Sequence, residues 1–132
     1  MASEPVFHRF VEARVIDLPF SQAVEAGGFV FLAGQVPNDP PNDGRPLPGD
    51  IEGQTRLAME NLAFVLTPLG LDFSHLVATR IFLTNFARDF DRMNAVYRSY
   101  FSKGRLPART CIGVTALAGG ARIEIDAIAR RP

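Results

Sequence analysis

Arg109 and Glu124 are the side chains of this sequence best suited to act together on a small anionic molecule. A guanidinium is a planar fork that pairs a carboxylate through two parallel hydrogen bonds. A glutamate facing the same space can act as a base or order a water molecule for attack. Both residues fall in extended segments, 108–114 and 122–128, whose residues alternate with period two. In the first, Ala108, Thr110, Ile112 and Val114 share one side, and Arg109, Cys111 and Gly113 the other. In the second, Ile123, Ile125 and Ala127 form an apolar face, with Arg122, Glu124 and Asp126 opposite. Ile112 and Val114 read as core, which puts Arg109 and Cys111 on one polar face with Glu124, on neighbouring strands. Two readings of the Arg–Glu pair follow: a substrate-handling pair, or an ordinary cross-strand ion pair.

Holding two such strands requires a sheet and something to cover it. Segments 22–26 and 29–33 flank Gly27 and Gly28, a two-residue turn signal, and read as a β-hairpin. Gly34 closes its second strand, where a glycine marks close backbone approach. Segment 7–17 reads as a short edge strand or hairpin arm, broken by Pro19. Residues 38–49 carry four prolines and read as a loop. Asp50 is placed to cap a helix in which Ile51, Ala58, Leu62, Val65 and Leu69 recur at helical spacing, with Gly70 as the stop. Residues 77–83 read as a strand. Phe86, Phe90, Met93, Tyr97 and Phe101 step by three or four, giving a second helix that ends near 102–104 with its aromatics facing the core. The order predicts an α+β fold, a mixed sheet with two helices packed on one face. The other face then needs a cover, and a second copy of the chain is the simplest one.

A chain of 132 residues fits one domain, 1–132, and its 47% hydrophobic and 21% charged content is that of a folded protein. The formal net charge of +0 argues against a nucleic-acid partner. One cysteine and two histidines provide neither an internal disulfide nor a usual zinc site, so no metal is expected. No apolar run is long enough to span a bilayer, and the first residues lack the basic and apolar regions of a signal peptide. A cytoplasmic, soluble protein is expected.

The run Pro107, Ala108, Arg109, Thr110, Cys111, followed by residues 123–129, resembles the signature of the Rid (YjgF) family, whose best-known members are enamine/imine deaminases. The resemblance extends over roughly the whole chain after Val15. It implies a chorismate-mutase-like fold, a homotrimer with sites in the clefts between subunits, and no cofactor. It also implies a substrate class, reactive 2-imino or enamine acids such as 2-iminopropanoate and 2-iminobutanoate, hydrolysed to 2-oxo acids and ammonia. In that reading Arg109 binds the substrate carboxylate and Glu124 positions the attacking water. Cys111 shapes the wall, Asn94 on the second helix lines the site, and the backbone of Gly34 approaches the ligand. Residue by residue, Cys111 also reads as a small buried side chain and Asn94 as a solvated helix residue.

Two positions depart from the family pattern. Phe20 stands where Tyr is usual and Ala33 where Ser is usual, so two hydroxyls that would face the ligand are missing. Both positions are expected to shift substrate preference without removing activity. The resemblance leaves other readings standing: a deaminase of a larger, aminomuconate-like enamine, a non-catalytic small-molecule binder, or a ribonuclease-like member.

Overall fold

The computed structural model describes residues 3–10, 18–37 and 47–132. Among these residues six strands form one sheet: β1 (Val6–His8), β2 (Ala23–Ala26), β3 (Phe29–Gln35), β4 (Leu76–Leu83), β5 (Ala108–Gly113) and β6 (Ile123–Arg130). Their order across the sheet is β1-β2-β3-β6-β4-β5, so the strand last in sequence lies near the centre. All neighbours run antiparallel except β4 and β5. A parallel pair needs a crossover, and helix α2 (Phe86–Arg98) supplies it.

Alternation along β6 determines what packs where. Ile123, Ile125, Ala127 and Ala129 are buried, and the residues between them are only half-buried. The buried set meets Val30 and Leu32 of β3, Ile81 and Leu83 of β4, and helix α1 (Ile51–Leu66). Helix α1 contributes Ile51, Ala58, Met59, Leu62 and Val65 to this core, and α2 contributes Met93 and Tyr97. Both helices therefore cover the same face, as the residue periodicity predicts. Buried polar residues of α1 fix the chain around it. The Asn61 side chain donates to the Val36 carbonyl at 2.7 Å, and Gln54 donates to the Pro48 carbonyl and accepts from the Arg122 N–H.

The hairpin forms as expected, with Gly27 and Gly28 both at positive φ, where glycine has no steric penalty. Several boundaries differ. Asp50 occupies the N-cap position of α1, but its side chain makes no capping hydrogen bond. A 3-10 turn, Thr67–Leu69, extends α1 before Gly70 ends it at φ 74°. Helix α2 stops at Arg98, and Phe101 packs beside the core from the turn that follows. Strand β1 lies at the sheet edge, as the reading of 7–17 anticipates, but it starts at Val6, and residues 11–17 lie outside the described ones, as does most of the 38–49 loop.

Much of the face away from the helices is apolar, and no described element covers it. Val24, Phe31, Ile128, Ala78 and Ala108 pair in a row across five strands. Phe31 is 45% exposed and Ile112 is 46% exposed. Ile112 is thus not core: its ladder partner Phe82 and, beyond that, Glu124 place it on the open face. One ion pair crosses this surface, Arg80 to both carboxylate oxygens of Asp126.

The end of the sheet nearest α2 is fixed by a buried carboxylate. Asp89, in the first turns of α2, accepts from Arg88 of the same helix and from Arg122 just before β6, and Arg122 also donates to the Gly49 carbonyl ahead of α1. Burial pushes the Asp89 carboxyl up, but the hydrogen bonds from Arg122 and Arg88 outweigh it and hold the group below its ordinary value. Removing one partner of such a cluster leaves an uncompensated charge. Asp89→Ala is expected to lower the unfolding free energy by about 3–5 kcal/mol in urea denaturation. A loss below about 1 kcal/mol would mean that the cluster behaves like a solvated surface pair.

Candidate functional site

Strand β5 carries Arg109, and its register with β4 decides which way that side chain points. Arg109 lies opposite Thr79, Cys111 opposite Ile81, and Gly113 opposite Leu83. Those three β4 residues are buried under the helices. Arg109 and Cys111 are therefore on the helix side of the sheet. The guanidinium reaches α2, where Nη1 donates to Asn94 Oδ1 at 2.7 Å. It also lies over the rings of Tyr97 and Phe90, 5.1 and 5.9 Å from their centroids. Tyr97 is held in turn by a 2.8 Å hydroxyl contact with Thr79. Asn94 and Tyr97 are three residues apart on one stripe of α2, so one helix face both bonds and stacks on the cation. No carboxylate pairs with Arg109 among the described residues. Beside it, Asn94, Tyr97, Arg98, Leu106, Pro107 and Arg109 line a hollow of about 220 Å³. Cys111 packs against the core, and burial pushes its thiol up while the Arg109 charge pulls the other way.

Glu124 is on the opposite face. It pairs with Phe82 in the β4–β6 ladder, where Ile81 meets Ile125 on the core side. Its carboxylate lies against Gly34: a Cβ added there would overlap the carboxylate oxygen and come within 2.9 Å of the carboxyl carbon. Glycine at 34 is thus required by Glu124 of the same chain, at a bulge where the β3–β6 register shifts. Burial first, and the charge of Asp126 second, hold the Glu124 carboxyl above its ordinary value.

The expectation that Arg109 and Glu124 share a face on neighbouring strands is overturned. Strand β4 separates β5 from β6, and the two side chains point to opposite sides of the sheet. A direct Arg109–Glu124 ion pair is absent among the described residues. Alternation correctly groups Arg109 with Cys111, and Glu124 with Asp126. It does not say which face either group takes, and the apolar Ile112 pointed to the wrong one.

Asn94 does join Arg109, and Gly34 joins Glu124. Ala33 is half-buried beside Gly34, and its N–H donates to the Gln22 carbonyl at 2.9 Å, two residues after the exposed Phe20. Two contributors escaped the sequence reading. Tyr97 counted only as core, although its spacing from Asn94 puts it on the same stripe. Asp126, two residues from Glu124 on the same strand face, was not linked to the charge of Glu124.

The family model described as Endoribonuclease L-PSP matches residues 12–131. Protein DfrA of Myxococcus xanthus is 50% identical over 113 residues, covering 84% of each chain. The 2-iminobutanoate/2-iminopropanoate deaminase of Mus musculus is 40% identical over 111 residues, covering 84% of this chain and 80% of that protein. The crystal structure of YyfA from Yersinia pestis, of the conserved Rid protein family, superposes with a TM-score of 0.85 at 34% identity, covering 96% and 99% of the two chains.

A carboxyl with a raised pKa in the folded state weakens the fold once it ionises. The penalty vanishes where folded and unfolded forms are both protonated, and grows as pH rises through the raised value. Glu124→Gln is therefore expected to raise the thermal unfolding midpoint at pH 7, with a gain that shrinks as the pH is lowered towards 4. A variant that melts below wild type at pH 7 would mean that ionised Glu124 stabilises the fold.

Proposed function

The chain belongs to the endoribonuclease L-PSP family, also called YjgF/Rid, and from that premise we propose that it hydrolyses 2-imino or enamine acids to 2-oxo acids and ammonia. The observation that carries this reading is Arg109. Asn94 and two aromatic rings hold its guanidinium at the wall of a hollow, and no carboxylate among the described residues neutralises it. Such a group is organised for a carboxylate brought by a ligand.

The reaction needs three things: an anchor for the carboxylate, a water aimed at the C=N carbon, and a proton for the departing nitrogen. Arg109 is the anchor. Glu124, with its pKa raised, accepts a proton from the attacking water and returns it to nitrogen. The balance is R–C(=NH)–COO⁻ + H₂O → R–CO–COO⁻ + NH₃. Water adds to carbon, the C–N bond breaks, and no electron pair leaves the system.

The two groups lie on opposite faces, so one chain cannot present both to a single small substrate. Arg109 is on β5, an edge strand of the sheet, and Glu124 lies on the face away from the helices. When one copy lays its β5 edge across the open face of the next, Arg109 of one meets Glu124 of the other. Phe31 and Ile112 are buried in the same step. The assembly we propose is a homotrimer with three such clefts. Phe20 and Ala33 then lie near the glutamate side of the cleft, where they offer an aromatic ring and a methyl group instead of hydroxyls.

Two measurements test this reading. Sedimentation equilibrium at micromolar concentration is expected to give three times the chain mass, and a single-chain mass would remove the proposed site. Arg109→Ala is expected to lower kcat/KM for 2-iminopropanoate, generated in place, by at least 100-fold while the trimer persists. Arg109→Lys should recover little, because an ammonium lacks the planar fork. Wild-type activity in Arg109→Ala would leave Arg109 with a packing role only.

A further inference from the structure

The hollow beside Arg109 holds a second cation. Asn94, Tyr97 and Arg98 stand three and four residues apart on α2, so they border one space, which Leu106, Pro107 and Arg109 close. Of these six lining residues two are charged, both are arginines, and none is acidic. The Arg98 side chain is exposed and makes no hydrogen bond or ion pair among the described residues. Its place in the last turn of α2 suits the helix dipole. The dipole accounts for a cation anywhere in that turn, and does not require it at the rim of this hollow.

A ligand with one carboxylate satisfies Arg109 and leaves its side chain beside Arg98. An apolar side chain there removes water from a guanidinium without pairing it, which opposes binding. A side chain that ends in a carboxylate pairs the second cation instead. Leu106 and Pro107 offer apolar contact for the methylene groups between the two acidic ends. A cleft lined by one sign of charge also concentrates ligands of the opposite sign.

We propose that the preferred ligand is a 2-imino acid whose side chain ends in a second carboxylate, the imine of an acidic amino acid. Arg109 holds the carboxylate next to the imine carbon, and Arg98 holds the distal one. This rests on the deaminase reading and names its substrate class. It also fits Phe20 and Ala33: recognition moves from hydroxyls on the glutamate side to charge on the arginine side.

Binding and turnover are measured separately, so that the two ideas can fail separately. Titration calorimetry compares 2-oxoglutarate and pyruvate, the product acids with two carboxylates and one, on the full-length assembly. Wild type is expected to bind 2-oxoglutarate roughly five- to tenfold more tightly, the range of one further charge-assisted contact at an exposed site. Arg98→Gln should bring the ratio of the two Kd values close to one, and Arg98→Lys should keep part of it. Arg56→Gln, which removes an exposed cation of α1 outside the hollow, should leave the ratio as in wild type. Equal affinities in wild type overturn the proposal without any variant. A ratio that Arg98→Gln does not change overturns it too, because another group would then read the second carboxylate. In parallel, imines of glutamate and alanine are generated in place and 2-oxo acid formation is followed above the spontaneous rate. If binding prefers the dicarboxylate but neither imine is hydrolysed faster than in buffer, the deaminase reading fails and the dicarboxylate site stands. If both imines are hydrolysed and the affinities are equal, the deaminase reading stands and the proposal fails.

Discussion

Every side chain of β6 is committed to one face of the sheet by the two strands it pairs with, and the rest of the molecule depends on that commitment. Ile123, Ile125, Ala127 and Ala129 have the helices above them, which leaves Glu124, Asp126 and Ile128 on the other side. A slip of one residue would exchange these sets, exposing the isoleucines and burying two carboxylates. The register is therefore held by the full hydrophobic core. It also fixes the local environment of Glu124, because the same register sets the glutamate beside Asp126 and brings its carboxylate against Gly34.

That commitment explains both what the sequence reveals and what it conceals. Alternation within one segment is a local property, so the pairings of Arg109 with Cys111 and of Glu124 with Asp126 could be read directly. So could the hairpin at Gly27 and Gly28, both helices and their common face. The face taken by β5 is not local. It depends on the parallel register with β4, set by a crossover through α2, and on whether Ile112 prefers the core or the open side. An apolar residue on an edge strand satisfies either choice in the sequence, and within the chain Ile112 stays exposed. The Asn94–Arg109 bond joins residues 15 apart in sequence. The resemblance implies that both residues line the site but not that they are bonded, and an asparagine on an amphipathic helix reads by itself as solvated. Asp89 was missed for a related reason: an aspartate near a helix start reads as a favourable charge at the helix dipole, and its burial between two arginines appears only in three dimensions.

The asymmetry between the two halves of the site has a physical sense. Arg109 is held by a hydrogen bond and two rings, so little ordering remains to be done when a carboxylate arrives. Glu124 accepts no hydrogen bond from a side chain among the described residues, and its charge is disfavoured by burial and by Asp126. An over-stabilised carboxylate would be a poor acceptor for a water proton, whereas one kept above its ordinary pKa is better matched to proton transfer near neutrality. In the proposed reaction, one half is thus organised to bind and the other to react.

Placing the halves on opposite faces of the sheet has a further consequence. Each half is only partly buried: Arg109 at the wall of a hollow, Glu124 on the face away from the helices. Neither forms a salt bridge among the described residues, so none of those must be broken before a ligand binds. Had the two faced each other, as strand alternation first suggested, Arg109 and Glu124 would neutralise one another. A substrate carboxylate would then displace the glutamate, at the cost of the ion pair. In the proposed site, separation by one sheet thickness would keep the cation free for a carboxylate and the glutamate free for water. In the assembly proposed above, burial of the apolar open face would supply the driving force that brings them together.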